Sequence, residues 1–275
     1  MRIDAHQHFW KYNPPEYAWI DGTMGVLKRD FLPHDLQPLL NANGFDGCIA
    51  VQACQHLEET QWLLELAGQN AFIKGIVGWV DLCSAELQTQ LDRLANHKKL
   101  VGVRHIVQAE PDDRFMLRAD FCRGISQLGE RGLTYDLLLY PRHLPVAVKL
   151  MSQFPDQPFV LDHIAKPDIA AGVLAPWEQD LRELAKFGNV WCKVSGMVTE
   201  AGWHQWRAPD FRPYLDVVFE EFGVNRLMIG SDWPVCTVSA DYTATMKIVK
   251  QYLEQFPSDA QQKVLGENCA RFYRI

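Results

Sequence analysis

Several familiar signatures are missing from this chain of 275 residues. No Gly-x-Gly-x-x-Gly follows the first strand-like run, and there is no phosphate-binding P-loop, so nucleotide and dinucleotide chemistry find no support. Without a Gly-x-Ser-x-Gly elbow an α/β-hydrolase nucleophile is excluded, and no His-Glu-x-x-His marks a zincin helix. The seven cysteines (48, 54, 83, 122, 192, 236, 269) include no Cys-x-x-Cys and no zinc-ribbon spacing. Their odd number and apolar surroundings read as reduced, buried thiols in a cytoplasmic setting. No run approaches the ~20 apolar residues of a membrane span. Asp4 and His6 fall where a secretory signal needs an apolar stretch, which argues against secretion. Basic residues number 27 against 34 acidic ones, a net charge of −7, and they are scattered, so no nucleic-acid footprint is drawn. No repeat, charge block or low-complexity linker divides the chain. The expected partner is a small molecule, with neither nucleic acid nor membrane, and a homo-oligomer is left open.

What is present is ordinary for a globular enzyme: 48% apolar and 22% charged residues. Eight short β-branched runs stand out: Arg2–Ala5, Asp46–Val51, Ile73–Val80, Leu100–Ile106, Thr134–Leu139, Phe159–Asp162, Val190–Val194 and Arg226–Ile229. Several are almost wholly apolar, as parallel strands covered on both faces are. Between them lie amphipathic stretches such as Glu58–Ala67, Asp120–Glu130, Leu144–Gln153, Tyr214–Phe222 and Tyr242–Gln255. Ser258 with Gln261 predicts a capping box that opens a final helix to about Arg271. Eight such alternations predict an α/β fold, one (β/α)8 barrel over residues 1–275, a size such barrels take as a single domain. Two connections, 9–33 and 196–213, are longer than packing requires and leave the strand ends that carry barrel active sites. The first holds Trp10, Tyr12, Tyr17 and Trp19, which read equally as walls for a substrate or as loop-anchoring core.

His6 and His8 end the first run as His-x-His, and two residues apart on a strand they share a side. Asp232, in Gly-Ser-Asp-Trp-Pro, ends the last run. First and last strands are neighbours in a closed barrel, so these distant residues meet at one mouth. Alone, Asp232 reads as a helix cap and His-x-His as a structural pair; together they read as a hydrolase centre. His163 follows the sixth run, where its bland reading is a histidine closing a turn. Arg104 and His105 end the fourth run, and the guanidinium suits a substrate oxygen or an internal ion pair with Asp136 or Asp81. Lys193, Ser195, Gln52 and Asp81 end other strands and fit substrate contact or support.

The segments Ile-Asp-Ala-His-Gln-His-Phe-Trp (3–10), Gly-Val-Arg-His (102–105), Leu-Asp-His-Ile-Ala-Lys-Pro (161–167), Lys-Val-Ser-Gly-Met (193–197), Gly-Ser-Asp-Trp-Pro-Val (230–235) and Gly-Glu-Asn-Cys-Ala-Arg (266–271) together resemble the amidohydrolase superfamily, and within it the sugar-lactonase branch. The resemblance covers nearly the whole chain. It implies a distorted (β/α)8 barrel that hydrolyses a lactone ester. Asp232 would match the general base, and His6, His8 and His163 the residues that polarise the carbonyl or, with Asp232, bind a divalent metal. Arg104, His105, Lys193, Trp10 and Gln52 would contact substrate. Members with two metals carry a bridging Lys or Glu after strand four and a further His after strand five. Here those places read Arg104-His105 and Asp136 to Tyr140, so a binuclear centre is not expected. The branch implies one divalent ion, for which zinc suits the ligands best, or none. Two other readings stand beside this one: a metal-dependent decarboxylase of an unsaturated or aromatic acid on the same barrel, and a non-catalytic sugar-binding barrel.

Overall fold

The eight apolar runs form eight parallel strands in a computed structural model that describes all residues, Met1–Ile275. They are β1 (Ile3–Gln7), β2 (Gly47–Val51), β3 (Ile73–Gly78), β4 (Leu100–His105), β5 (Thr134–Leu137), β6 (Phe159–Leu161), β7 (Val190–Val194) and β8 (Leu227–Ile229). Their order around the sheet is their order in sequence, as in a (β/α)8 barrel. The helices α1 (Pro33–Ala42), α2 (Leu57–Gln69), α3 (Leu87–Leu94), α4 (Ala119–Glu130), α5 (Leu144–Gln153), α6 (Trp177–Ala185), α7 (Ala208–Phe222) and α8 (Tyr242–Leu253) follow the strands in turn. Helix α1 has no counterpart among the expected helices. Pro38 inside it interrupts the apolar pattern, while Leu36 and Leu40 still bury against the barrel.

The final helix differs from expectation. Ser258 and Gln261 make no capping box; the segment is α9 (Ser258–Gln262), a wide π turn over Lys263–Glu267, and α10 (Asn268–Tyr273). The break lies at Gly266, whose backbone passes against Met1 to Ile3, where a side chain would collide. Beyond it, α10 sends Cys269, Phe272 and Tyr273 into an interior cluster with Ile3, Ala5, Ile49, Val51, Val77, Val101, Val160 and Met228. This plug fills the strand-start end of the barrel and leaves the strand-finish end for polar groups.

Seven ladders join the strands, and the β8–β1 seam is closed differently. Just beyond β8, the Asp232 N–H donates to His6 O (2.8 Å) and the His8 N–H donates to Trp233 O (2.7 Å). Beneath them the buried Asp4 carboxylate accepts from Ser231 N–H (2.9 Å), Ser231 Oγ (2.6 Å) and the Tyr242 hydroxyl (3.1 Å). Burial pushes the Asp4 carboxyl up to about 6 against the pull of those donors. A side-chain bracket thus takes the place of a ladder and fixes His6, His8 and Asp232 relative to one another.

Candidate active site

Ala5 belongs to the interior apolar cluster, yet His6 also points inward, toward Asp162 and Lys193. A regular strand cannot put successive residues on one side. The register irregularity between Asp4 and Gln7 allows it, a bulge that re-aims the histidine. His8 lies just past the strand, and its Nε2 comes within 3.2 Å of His6 Nε2.

Under the histidines lies a buried ionic layer. Arg104 Nη1 donates to Asp162 Oδ2 (3.0 Å), and its Nε and Nη2 hold Gln52 Oε1 at 3.1 and 2.9 Å. Lys193 Nζ stands between Asp136 Oδ2 (2.5 Å) and Asp162 Oδ1 (3.1 Å). Two cations face two carboxylates, so the layer is neutral, as burial demands. Burial would raise the Asp162 carboxyl, but Lys193, His6 and Arg104 outweigh it and hold it well below the usual range. Arg104 therefore pairs with Asp162, not with Asp136 or Asp81; Asp81 lies beyond β3 and accepts from Cys83 N–H instead.

Asp232 is the carboxylate left over at the mouth. Its Oδ1 is 3.3 Å from His8 Nε2, 3.7 Å from His163 Nε2 and 3.9 Å from His6 Nε2. It caps no helix with its side chain; only its backbone carbonyl accepts, from Cys236 N–H. Burial acts to raise its pKa, yet His163, His8 and His6 outweigh that and hold the carboxyl far down. Burial lowers His163 to about 4, so the imidazole is neutral near pH 7, and its Nδ1 lies 2.9 Å from Ser195 Oγ.

The backbone around these groups is strained. His163, Ile164, Ala165 and Lys166 are all left-handed, with φ of 54°, 49°, 59° and 51°, and Asp232 has φ 57°. Each such residue costs about 1–2 kcal/mol, and a β-branched Ile adopts it least readily. Packing holds the turn: Ile164 and Ala165 are buried, and the Trp177 indole N–H donates to Ile164 O at 2.7 Å. Two glycines make room. A Cβ on Gly196 (φ 63°) would sit 2.5 Å from His163 Nδ1, and one on Gly230 would sit 2.8 Å from His6 Cβ. Strain concentrated at a polar mouth marks a functional site.

His6 Nε2, His8 Nε2 and Asp232 Oδ1 converge as three acceptors. His8 Nδ1 donates to Val51 O (2.8 Å), which leaves Nε2 as its lone pair. His6 Nδ1 lies between Asp162 Oδ1 (3.2 Å) and Lys193 Nζ (3.3 Å), while the Arg104 guanidinium, which can only donate, faces Nε2 at 3.3 Å and so calls for a lone pair there. Ligands about 2.0–2.1 Å from a tetrahedral zinc lie about 3.3 Å from one another. The observed separations of 3.2, 3.3 and 3.9 Å fit that set with a fourth position open. A second grouping, His6 with Asp162 and His163, is also close enough for an ion. Arg104 and Lys193 already neutralise Asp162, so a second cation would meet two positive charges there.

The other expected contacts sit elsewhere. Gln52 and Lys193 are 0% exposed and lie within the ionic layer, behind the mouth. His105 stacks on Phe115 and bonds Glu110 at 2.6 Å. Trp10 is also 0% exposed, its indole donating to Arg29 O and its ring packed on Phe31 and Tyr17, so it anchors the 9–33 loop and offers a ligand no surface. Asp162, Asp136, Ser195 and Glu59 were the residues underweighted in sequence. Asp162 had one signal, its place beside His163 at a strand end. Glu59, in the first turn of α2, accepts from Ala53 and Cys54 N–H and faces a cavity of about 360 Å³ with Lys11, Tyr17, His56 and Trp62.

An eight-stranded barrel with two histidines at the end of β1, one after β6 and an aspartate after β8 defines a hydrolase-type centre. The amidohydrolase family profile matches residues 3–275. L-fucono-1,5-lactonase of Burkholderia multivorans is 42% identical over 100% of this chain and 96% of its own length. L-fucono-1,5-lactonase of Burkholderia ambifaria is 38% identical over the same shares. A crystal structure of a Burkholderia multivorans amidohydrolase with bound zinc superposes with a TM-score of 0.95 at 41% identity, covering 100% of this chain and 99% of that one. The chain belongs to the amidohydrolase family, in its sugar-lactonase branch.

Proposed function

We propose that the protein hydrolyses a sugar lactone, an L-fucono-1,5-lactone or a close stereochemical relative. The observation that carries this reading is the convergence of His6, His8, His163 and Asp232 at one strained mouth, in a chain that matches lactonases along its full length. The lactone carbonyl carbon takes up a water oxygen, the carbon–ring-oxygen bond breaks, and Asp232 carries the proton from water to the departing alkoxide. Asp232 is held as the carboxylate, ready to take a proton from water, and acidification of that water makes the transfer easier. His6, His8 and Asp232 would hold one divalent ion, zinc by donor type, which supplies that acidification when bound. His163, neutral and aligned by Ser195, is placed to donate a hydrogen bond to the carbonyl oxygen as negative charge grows on it. The Arg104 guanidinium, 3.3 Å from His6 Nε2, adds positive potential from below. No helix is long and apolar enough to cross a membrane, and the reading assigns the enzyme to the cytoplasm.

A panel of aldonolactones followed by pH indicator, with and without chelator, tests this reading. Acid release is expected on a 1,5-lactone, and Asp232→Asn is expected to lower kcat/KM by about 10²–10⁴-fold. Full activity in Asp232→Asn would overturn the assignment of the base. Chelation is expected to reduce the rate, with zinc restoring it; a rate unmoved by exhaustive chelation shows that the imidazoles and Arg104 suffice.

A further inference from the structure

Tyr140, Lys166 and Glu200 follow the ends of β5, β6 and β7, on the face that carries His163 and Asp232, and no step of the proposed reaction uses them. Lys166 ends the left-handed turn that presents His163, and its N–H donates to His163 O at 2.8 Å. Glu200 closes the short turn Met197–Thr199 on the neighbouring loop. The Lys166 ammonium lies 3.8 Å from Glu200 Oε1 and 5.5 Å from the centroid of the Tyr140 ring. Neither contact is a hydrogen bond, so the three N–H donors of a side chain only 17% exposed go to no protein acceptor. Glu200, 22% exposed, accepts on Oε1 from Thr199 Oγ1 at 3.3 Å and keeps Oε2 for another donor. Both side chains stand within electrostatic reach of the catalytic groups. Burial raises the Glu200 carboxyl and Asp232 adds to the rise, against the pull of Lys166; burial lowers the His163 imidazole and Lys166 adds to the fall.

We propose that Lys166 and Glu200 together bind a ring hydroxyl of the substrate and so set which lactones are accepted. A pair whose only task was to tie two loops would close to hydrogen-bond distance, as Arg182 does with Glu178 at 3.0 Å. An ammonium only donates and a carboxylate only accepts, whereas a hydroxyl does both. A hydroxyl oxygen about 2.8 Å from each closes the 3.8 Å gap, accepting from Lys166 and donating to Glu200. A substrate carboxylate in that place would be repelled by Glu200 and Asp232, and an alkyl group would leave both charges unpaired. A neutral, hydroxylated ring is therefore preferred over an acidic or a bare lactone. Because Lys166 shares a turn with His163, a hydroxyl held there also fixes the ring relative to the donor for the carbonyl oxygen.

This proposal rests on the lactonase reading, and its test includes a measurement that does not. δ-Valerolactone offers the six-membered ester without hydroxyls, and 1,5-anhydro-L-fucitol offers a hydroxylated ring without the carbonyl. Lys166→Met and Glu200→Leu are each expected to lower the preference for L-fucono-1,5-lactone over δ-valerolactone, taken as the ratio of the two kcat/KM values. The expected fall is about 10–100-fold, the scale of a hydrogen bond to a charged group. The double variant should lose little more than either single one, because both side chains hold the same hydroxyl. In calorimetry the wild type is expected to bind 1,5-anhydro-L-fucitol, and either variant to bind it about 10-fold more weakly or worse. A preference ratio unchanged in both variants would overturn the proposal, since rates that fall equally on the two lactones mean only that His163 has been disturbed. Fully additive losses, or a wild type that does not bind the anhydroalditol, overturn it as well. If the wild type hydrolyses neither lactone but loses anhydroalditol binding in Lys166→Met, the proposed reaction fails and the hydroxyl site stands.

Discussion

A single side chain here takes its character from what it is buried against. Asp232 is a buried carboxyl and Glu59 a half-buried one at a cavity wall, and they behave oppositely. Three imidazoles hold Asp232 ionised, while Glu59 has no cation in contact and is pushed up to about 8 by burial, against the pull of the Cys54 and Ala53 N–H groups. A carboxyl that binds its proton more tightly when folded stabilises the fold below its ordinary pKa near 4.5. That contribution is lost as pH rises through about 8. For a shift of this size the loss is on the order of 4 kcal/mol. Glu59→Gln keeps one oxygen for the Ala53 and Cys54 N–H groups and cannot ionise. Urea unfolding at pH 5 and pH 8 should therefore show a much smaller stability drop in the variant than in the wild type. Equal drops would mean that Glu59 ionises freely. At this scale the sequence was informative where residues sit next to a strand end, as for His6, His8, His163 and Asp232. It misjudged Trp10, because an aromatic beside a histidine pair reads the same whether it faces a ligand or Phe31.

The elements were legible wherever one period dominates. Leu144–Gln153 and Val190–Val194 fall where the pattern places them, and the other strands agree to within two residues or so at their starts. The disagreements have local causes: Pro38 masks α1, and Gly266 breaks the last helix against the first strand. The left-handed turn at His163–Lys166 was invisible, since it contains no glycine to announce it. It survives because Trp177 and the core hold it and because Gly196 leaves space beside the ring. Gly196→Ala should lose about 1–2 kcal/mol of stability from its positive φ. It should also displace His163 and lower kcat on the lactone by about 10²-fold, the scale of a misplacement near 1 Å. Thermal unfolding and steady-state rates on one preparation check both; a wild-type kcat would show that His163 tolerates displacement.

Over the whole molecule, the barrel separates an apolar plug at one end from a charged, strained mouth at the other, with a neutral ionic layer between them. Removing residues 267–275 would strip Cys269, Phe272 and Tyr273 from the interior and leave Asp136 without its hydroxyl donor. The truncated chain is expected to lose cooperative thermal unfolding and to bind a hydrophobic dye; a sharp transition close to that of the full chain would show that the plug is dispensable. The sequence by itself determined the number of βα units and their order, because an eightfold alternation of buried strands and amphipathic helices has few other ways to bury its faces. It also determined that His6, His8 and Asp232 share a mouth, since the closure of a barrel makes the first and last strands neighbours. Only the tertiary structure decided the rest. Arg104 pairs with Asp162, Lys193 with Asp136, and Tyr273 reaches the second pair from below. Those pairings depend on inward directions and layer heights inside the closed barrel, and a bulge of one residue at His6 is enough to change them.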